Sequence, residues 1–127
     1  MVLVVEDDPD LAALEAELLE EQGHCVEVAR NGREALAAVE RATPDLILLD
    51  MKMPVMGGRE FADEYRRRHS SAAPIVVVTA ADDAQRRAAE VGASAWIAKP
   101  FDPAALVASV ARLLPPYTAR PTNNRRP

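Results

Sequence analysis

The sequence predicts an α/β fold: a five-stranded, doubly wound parallel sheet in which each strand is followed by a helix. Three observations predict it. Short apolar runs at 2–5, 46–49, 75–78 and 96–98 are too brief for helices and too uniformly apolar for a half-exposed sheet, so they read as strands buried on both faces. Helical patterns separate them along the whole chain, and right-handed crossovers turn that alternation into a parallel sheet covered on both sides. Each run also ends on polar residues: Glu6-Asp7-Asp8, Asp50, Thr79 and Lys99-Pro100. Ligands of open α/β sheets bind beyond the carboxyl ends of the strands, so these termini are expected to converge on one site.

The elements follow in order. After the first strand, Asp8 can cap a helix with Pro9 at its first position, where a missing N–H costs nothing. Leu11, Leu14 and Leu18 repeat at helical spacing, and Gly23 offers a left-handed stop. The second strand is expected over about 25–29. Asn31 with Glu34 resembles a capping box for a second helix carrying Leu36 and Val39, which ends before Thr43-Pro44. The third strand is 46–49. Pro54 and Gly57-Gly58 mark a loop, and the third helix carries Phe61 and Tyr65 toward the core. Pro74 precedes the fourth strand. An alanine-rich fourth helix spans about 83–91, with Gly92 ending it, and its thin packing makes it one of the more mobile elements. The fifth strand is 95–98. Asp102 and Pro103 open a last helix with Leu106, Val107, Val110, Leu113 and Leu114 on one side.

Size and composition limit what such a chain can do. Its 127 residues make one domain, with 49% hydrophobic and 28% charged residues, ordinary for a soluble globular protein. No apolar run approaches the roughly 20 residues that cross a bilayer, and no signal-peptide pattern opens the chain. The lone Cys25 excludes an internal disulfide and fits a cytoplasmic location. Residues 1–114 carry 12 basic against 20 acidic side chains, a net of −8, while 115–127 carry +3. An acidic body argues against direct nucleic-acid binding, which needs Lys and Arg against phosphates. The proline-containing segment 115–127 is expected to be a disordered tail or linker remnant.

The polar strand ends carry the chemistry. Glu6, Asp7 and Asp50 gathered in one pocket would repel and raise one another's pKa, and a hard divalent cation relieves that cost. Mg²⁺ suits the set because it takes one or two carboxylates and keeps several waters. The same Glu6, Asp7, Asp8 and Asp10 also read as an acidic, helix-capping loop. Lys99, at the end of a buried strand and before a proline, needs an anionic partner unless it snorkels to solvent. Thr79 reads either as a plain strand-end threonine or as a hydroxyl aimed at a phosphoryl oxygen. Trp96, the only tryptophan, reads as a core aromatic on its own. His24 and His69 have no metal-ligand partner at suitable spacing. Cys25 reads as a small buried hydrophobe, and Arg66-Arg67-Arg68 and Arg86-Arg87 as solvated helix surfaces.

Over residues 1–114 the chain resembles the receiver domain of two-component response regulators. The matching stretches are Leu3-Val4-Val5-Glu6-Asp7-Asp8-Pro9, then Asp45-Leu46-Ile47-Leu48-Leu49-Asp50-Met51-Lys52-Met53-Pro54 with Gly57-Gly58, Val78-Thr79-Ala80 and Lys99-Pro100-Phe101. The resemblance implies a flavodoxin-like sheet of order 2-1-3-4-5 and a phosphoacceptor switch rather than an enzyme acting on a free metabolite. It implies that Asp50 accepts a phosphoryl group from a phosphohistidine of a histidine kinase or phosphotransfer protein. Asp7 would bind Mg²⁺ directly, Glu6 through water, and the Lys52 carbonyl would complete the protein's ligands. Thr79 and Lys99 would hold phosphoryl oxygens, with small Ala80 keeping the pocket open. Trp96 would be the switch aromatic, and the Lys99–Pro100 bond would be cis. A downstream protein target and a phosphorylation-dependent homodimer are the implied partners.

Rival readings fit less well. A Mg²⁺-dependent phosphohydrolase of the haloacid-dehalogenase type would want Asp two residues after the nucleophile, where this chain has Lys52, and would need room for a cap. A flavodoxin-like cofactor carrier would need a hydroxyl- and glycine-rich loop after the first strand. No G-x-x-x-x-G-K-[ST] is present. The remaining alternative is a receiver module excised from a longer DNA-binding regulator or hybrid kinase.

Overall fold

The protein's structure, a computed structural model, describes residues 1–114; the expected tail at 115–127 lies outside the described residues. Five strands, β1 (Val2–Val5), β2 (Val26–Ala29), β3 (Leu46–Asp50), β4 (Ile75–Ala80) and β5 (Ala95–Lys99), alternate with five helices, α1 (Pro9–Glu21), α2 (Gly32–Arg41), α3 (Gly58–Arg68), α4 (Ala84–Glu90) and α5 (Pro103–Leu113). The strands form one parallel sheet in the order β2-β1-β3-β4-β5, as the sequence implies.

Alternation along the strands builds two apolar layers. Leu3, Val5, Ile47, Leu49, Ile75 and Val77 face α2, α3 and α4, where they meet Leu36, Val39, Phe61, Tyr65 and Val91. Val2, Val4, Leu46, Leu48, Val76, Val78 and Ile97 face the opposite way, against Ala12 and Leu19 of α1 and Leu106 and Val110 of α5. With both faces covered, β1 and β3 are buried along their whole length.

Local chemistry sets the helix starts. The backbone N–H groups of Asp10 and Leu11 donate to Asp8 Oδ1 at 3.0 and 3.3 Å, with Pro9 opening α1. Glu34 N–H donates to Asn31 Oδ1 at 2.9 Å, while Glu34 Oε1 reaches back to the N–H of Arg30, a capping box shifted by one residue. Asp102 accepts from Ala104 N–H at the start of α5. Gly23 and Gly92 end α1 and α4 with φ of 92° and 62°, conformations that glycine adopts at little cost.

Three details differ from the sequence reading. The buried face of α1 is Ala12, Glu15 and Leu19, while Leu14 is exposed and Leu11 and Leu18 only partly covered. The leucine stripe misleads because the first turns of α1 border the mouth of the site. Cys25 is exposed, since it lies just before the edge strand β2. Helix α4 begins at Ala84, and Asp83 precedes it without a side-chain cap.

Candidate functional site

The carboxyl ends of β1, β3, β4 and β5 open into a cleft of about 730 Å³. Glu6 and Asp7 enter it from the end of β1, Asp50 from β3, Thr79 and Ala80 from β4, and Lys99 from β5; Lys52, Pro100 and Phe101 complete its walls. The register explains the convergence. Val5 pairs with Leu49, Asp50 with Val78, and Ala80 with Lys99, so the polar termini stand level at one edge of the sheet.

One carboxylate oxygen from each of Glu6, Asp7 and Asp50 lies within 4.8 Å of the others. Glu6 and Asp50 are buried, at 2% and 4% exposure, and Asp7 is exposed. Lys99 Nζ lies 3.2 Å from Glu6 Oε1 and 3.5 Å from Asp50 Oδ1. Lys52 N–H donates to Asp50 Oδ1 at 3.2 Å, and Asp8 N–H to Glu6 Oε2 at 3.2 Å. Glu6 Oε1 makes no hydrogen bond of good geometry despite its burial.

These surroundings shift the acids upward. Burial, reinforced by the charge of Asp50, lifts Glu6 to about 7 against the opposing Asp8 N–H and Lys99. Burial also raises Asp50, with Lys99 and the Lys52 N–H working the other way. Burial tends to lower the Lys99 ammonium, but Asp50 and Glu6 outweigh it and leave its pKa raised. One ammonium cannot neutralise two buried carboxylates and a third beside them. A hard divalent cation fits this donor set: three oxygen ligands close together, two of them buried with a single ammonium between them, open to a cleft that admits waters.

Backbone features complete the site. Gly58, the first residue of α3, packs so closely under Asp50 that a Cβ there would meet the Asp50 carbonyl oxygen at 2.7 Å and Met51 Sδ at 2.8 Å. Only glycine lets α3 begin against the end of β3. In the connecting loop Val55 has φ of 71°, and the Lys99–Pro100 peptide bond is cis.

Thr79 is buried at the back of the cleft and Trp96 lies beyond it on the edge strand, 47% exposed; the core reading of this aromatic does not hold. Two residues escaped the sequence reading. Glu15 is a buried carboxyl on α1, visible in sequence only as an acid one turn after Leu11. Arg66, expected at a solvated helix end, sends its guanidinium to the carbonyl oxygens of Val91 and Gly92 and ties α3 to the end of α4.

Comparison with known proteins agrees with this fold. The family model described as "Response regulator receiver domain" matches residues 2–111. The DNA-binding response regulator MtrA of Mycolicibacterium smegmatis is 41% identical over 109 residues, covering 86% of this chain and 48% of that protein. The receiver domain of NtrX from Brucella abortus superposes with a TM-score of 0.82 at 30% identity, covering 90% of this chain and 98% of that one. Chemotaxis response regulator CheY4 of Vibrio cholerae gives 0.80 at 36% identity, covering 89% and 97%. The chain spans less than half the length of MtrA and of three other curated relatives.

Proposed function

This chain belongs to the response regulator receiver domain family of two-component signalling, and from that premise we propose that residues 1–114 are a phosphorylation switch with Asp50 as the acceptor. The observation that carries the reading is the placement of Asp50. It is buried at the end of β3, with Glu6 and Asp7 on one side and the Lys99 ammonium 3.5 Å away.

In this reading an Asp50 carboxylate oxygen attacks the phosphorus of a phosphohistidine on a histidine kinase or phosphotransfer protein. The P–N bond breaks, the imidazole leaves with the electron pair, and an acyl phosphate forms. Glu6, Asp7, Asp50 and the Lys52 carbonyl would hold Mg²⁺, which neutralises charge on the transferring oxygens. Lys99 supplies a second positive charge, and Thr79 a neutral donor. Ala80 adds no bulk beside them, which keeps the cleft open to the partner's imidazole and to water. The opposed pulls on Asp50, burial against Lys99 and the Lys52 N–H, keep a usable carboxylate on a buried side chain.

The acyl phosphate would draw on Thr79 and Lys99 and alter the surface around Trp96, where a downstream protein or a second copy of the chain docks. No helix among the described residues is long and apolar enough to cross a membrane, and we place the domain in the cytoplasm, where kinases of this class act. The test is to treat the purified protein with a small phosphodonor and Mg²⁺. One acid-stable, base-labile phosphate should appear and should be absent from Asp50→Asn. Label retained on the variant would move the acceptor elsewhere.

A further inference from the structure

Glu15 is the buried acid that the switch reading leaves unused. It is 1% exposed, its Oε2 has no hydrogen-bond partner, and it interrupts an otherwise apolar face between Ala12 and Leu19. An unpaired acid in such a place is costly unless its charge state has a use. Its position supplies one. Glu15 follows Leu11 by four residues, so the two share a face of α1, and Leu11 lines the cleft. Side chains on a helix lean toward its N-terminus. For α1 that end begins just past Glu6 and Asp7, so the side chain leans toward the acidic end of the helix.

We propose that Glu15 is a buried carboxyl coupled to the acidic trio, a positioning residue that acts on the bound metal through its charge and gives up its proton as the metal binds. This rests on the Mg²⁺ site of the proposed function. Glu15 stays outside the trio whose oxygens come within 4.8 Å, so it acts at a distance and not as a ligand.

The charges around it fit the role. Burial is the largest influence on Glu15 and, with Glu6 and Asp50 beside it and Lys99 opposing, lifts it to about 8. Among the described residues the charges that act on Glu15 are those of Glu6, Lys99 and Asp50. On α5, Arg112 is turned to Ser109, and on β2, Glu27 is paired with Arg41. Near neutral pH Glu15 is therefore mostly protonated. A divalent cation among Glu6, Asp7 and Asp50 offsets the net negative charge that they and Lys99 leave, and so favours the ionised form of Glu15. Metal binding is then coupled to release of the Glu15 proton, and affinity rises as pH climbs from 6 to 8.5.

The test is Mg²⁺ calorimetry on the chain, on Glu15→Gln and on Glu15→Leu at pH 6, 7.5 and 8.5, in paired buffers of different ionisation enthalpy. The chain should gain roughly 3- to 10-fold more affinity between pH 6 and 8.5 than either variant, an interaction of up to about 1.4 kcal/mol between the Glu15 charge and the metal. At pH 7.5 it should also release more protons per Mg²⁺. The variants retain Glu6 and Asp50, so the difference isolates Glu15. Identical pH profiles in all three proteins would overturn the inference and leave the metal site standing, whereas absence of Mg²⁺ binding in all three would bring down both. Carboxyl ¹³C titration of the unmutated chain gives a measure free of any folding defect. The Glu15 midpoint should fall when Mg²⁺ is added, and an unmoved midpoint refutes the coupling.

Discussion

Lys99, at the end of β5, holds its ammonium 3.5 Å from Oδ1 of Asp50 at the end of β3. The cation thus bridges two strands separated by β4 and supplies the positive charge that the resting site contains. Removing it leaves Glu6 and Asp50 buried without a counter-charge. Breaking one side of a fully buried pair costs about 3–5 kcal/mol, and partial exposure of the lysine reduces this to about 1–3 kcal/mol. Lys99→Ala should accordingly be less stable than the parent without metal and should recover most of the loss in saturating Mg²⁺. It should still be phosphorylated, though slowly, and should fail to dock its target. Urea melts with and without Mg²⁺ check the first claim, and partner binding by the phosphorylated variant the second. Undiminished docking would remove Lys99 from the signalling path.

Asp7 is the exposed member of the acidic trio, and Asp10 lies one residue past Pro9 in the first turn of α1. Both are acidic and solvated, but only Asp7 shares the pocket with Glu6 and Asp50. A ligand that binds the folded state alone stabilises it by RT ln(1 + [L]/Kd). The melting temperature should therefore climb with Mg²⁺, with the climb largely lost in Asp7→Asn and nearly intact in Asp10→Asn. Equal responses from the two variants would put the metal elsewhere.

The pH dependence of stability has an unusual sign for carboxylates. Glu6 is raised to about 7 and Glu15 to about 8, both from an ordinary 4.5. The folded state therefore holds more protons than the unfolded one across this window, and stability falls as pH rises. The contribution is complete below about pH 4.5 and disappears through pH 7 to 8. At 1.36 kcal/mol per unit it amounts to about 3 kcal/mol for Glu6 and about 5 kcal/mol for Glu15. Without metal the protein should melt at a lower temperature at pH 8.5 than at pH 5, and Glu15→Leu should flatten part of that decline. Stability that stays level or increases over this range would show that these acids are better solvated than their burial indicates.

Val55 carries φ of 71° in the loop between β3 and α3 and is 69% exposed. A β-branched residue in this region is strained, at a cost of roughly 1–2 kcal/mol. Its side chain gains little packing in return. Val55→Gly should relieve the strain at the expense of a more flexible unfolded chain, for a net gain of about 0.5–1 kcal/mol. Denaturant midpoints of the two proteins measure it, and a loss of stability would mean that the loop holds Val55 in another conformation.

The sheet was legible because β1, β3 and β4 are buried on both faces and leave uninterrupted apolar runs, and because Asp8-Pro9 and Asp102-Pro103 mark their helix starts without competition. The site was legible because its residues are the first polar ones after each run. What escaped is long-range. Arg66 looks like its neighbours Arg67 and Arg68 until the end of α4 brings the Val91 and Gly92 carbonyls to it. Glu15 looks like one acid among several on α1, and only the packing of that helix, which buries it with Ala12 and Leu19, turns it inward. Helical periodicity favoured Leu14 over Glu15 for the core because it counts hydrophobicity, whereas the structure places Leu14 at the rim of the cleft.

The same separation of near and far governs how phosphorylation would be felt at the surface. Thr79 pairs with Ala98 across β4 and β5, and Trp96 lies two residues before Ala98 on the edge strand. The Thr79 hydroxyl is buried at the cleft, and the indole is 47% exposed. If a phosphoryl group draws the hydroxyl toward it, space opens behind Thr79, and the indole gains apolar contact by turning into that space. Helix α4 resists weakly, since it has only seven residues and buries only Ala84 and Ala88. The Arg66 guanidinium ties the residues at the far end of this helix to α3. Two arrangements separated by a few kcal/mol are then within reach of one acyl phosphate. Trp96 is the only tryptophan, so its emission should shift toward the blue when Mg²⁺ and a phosphoryl mimic are added. The shift should be absent in Asp50→Asn and reduced in Thr79→Ala. Arg66→Ala frees the end of α4 and should enlarge the response while speeding amide exchange across 84–93. A spectrum and an exchange pattern that ignore the mimic would place the output of this switch on another face.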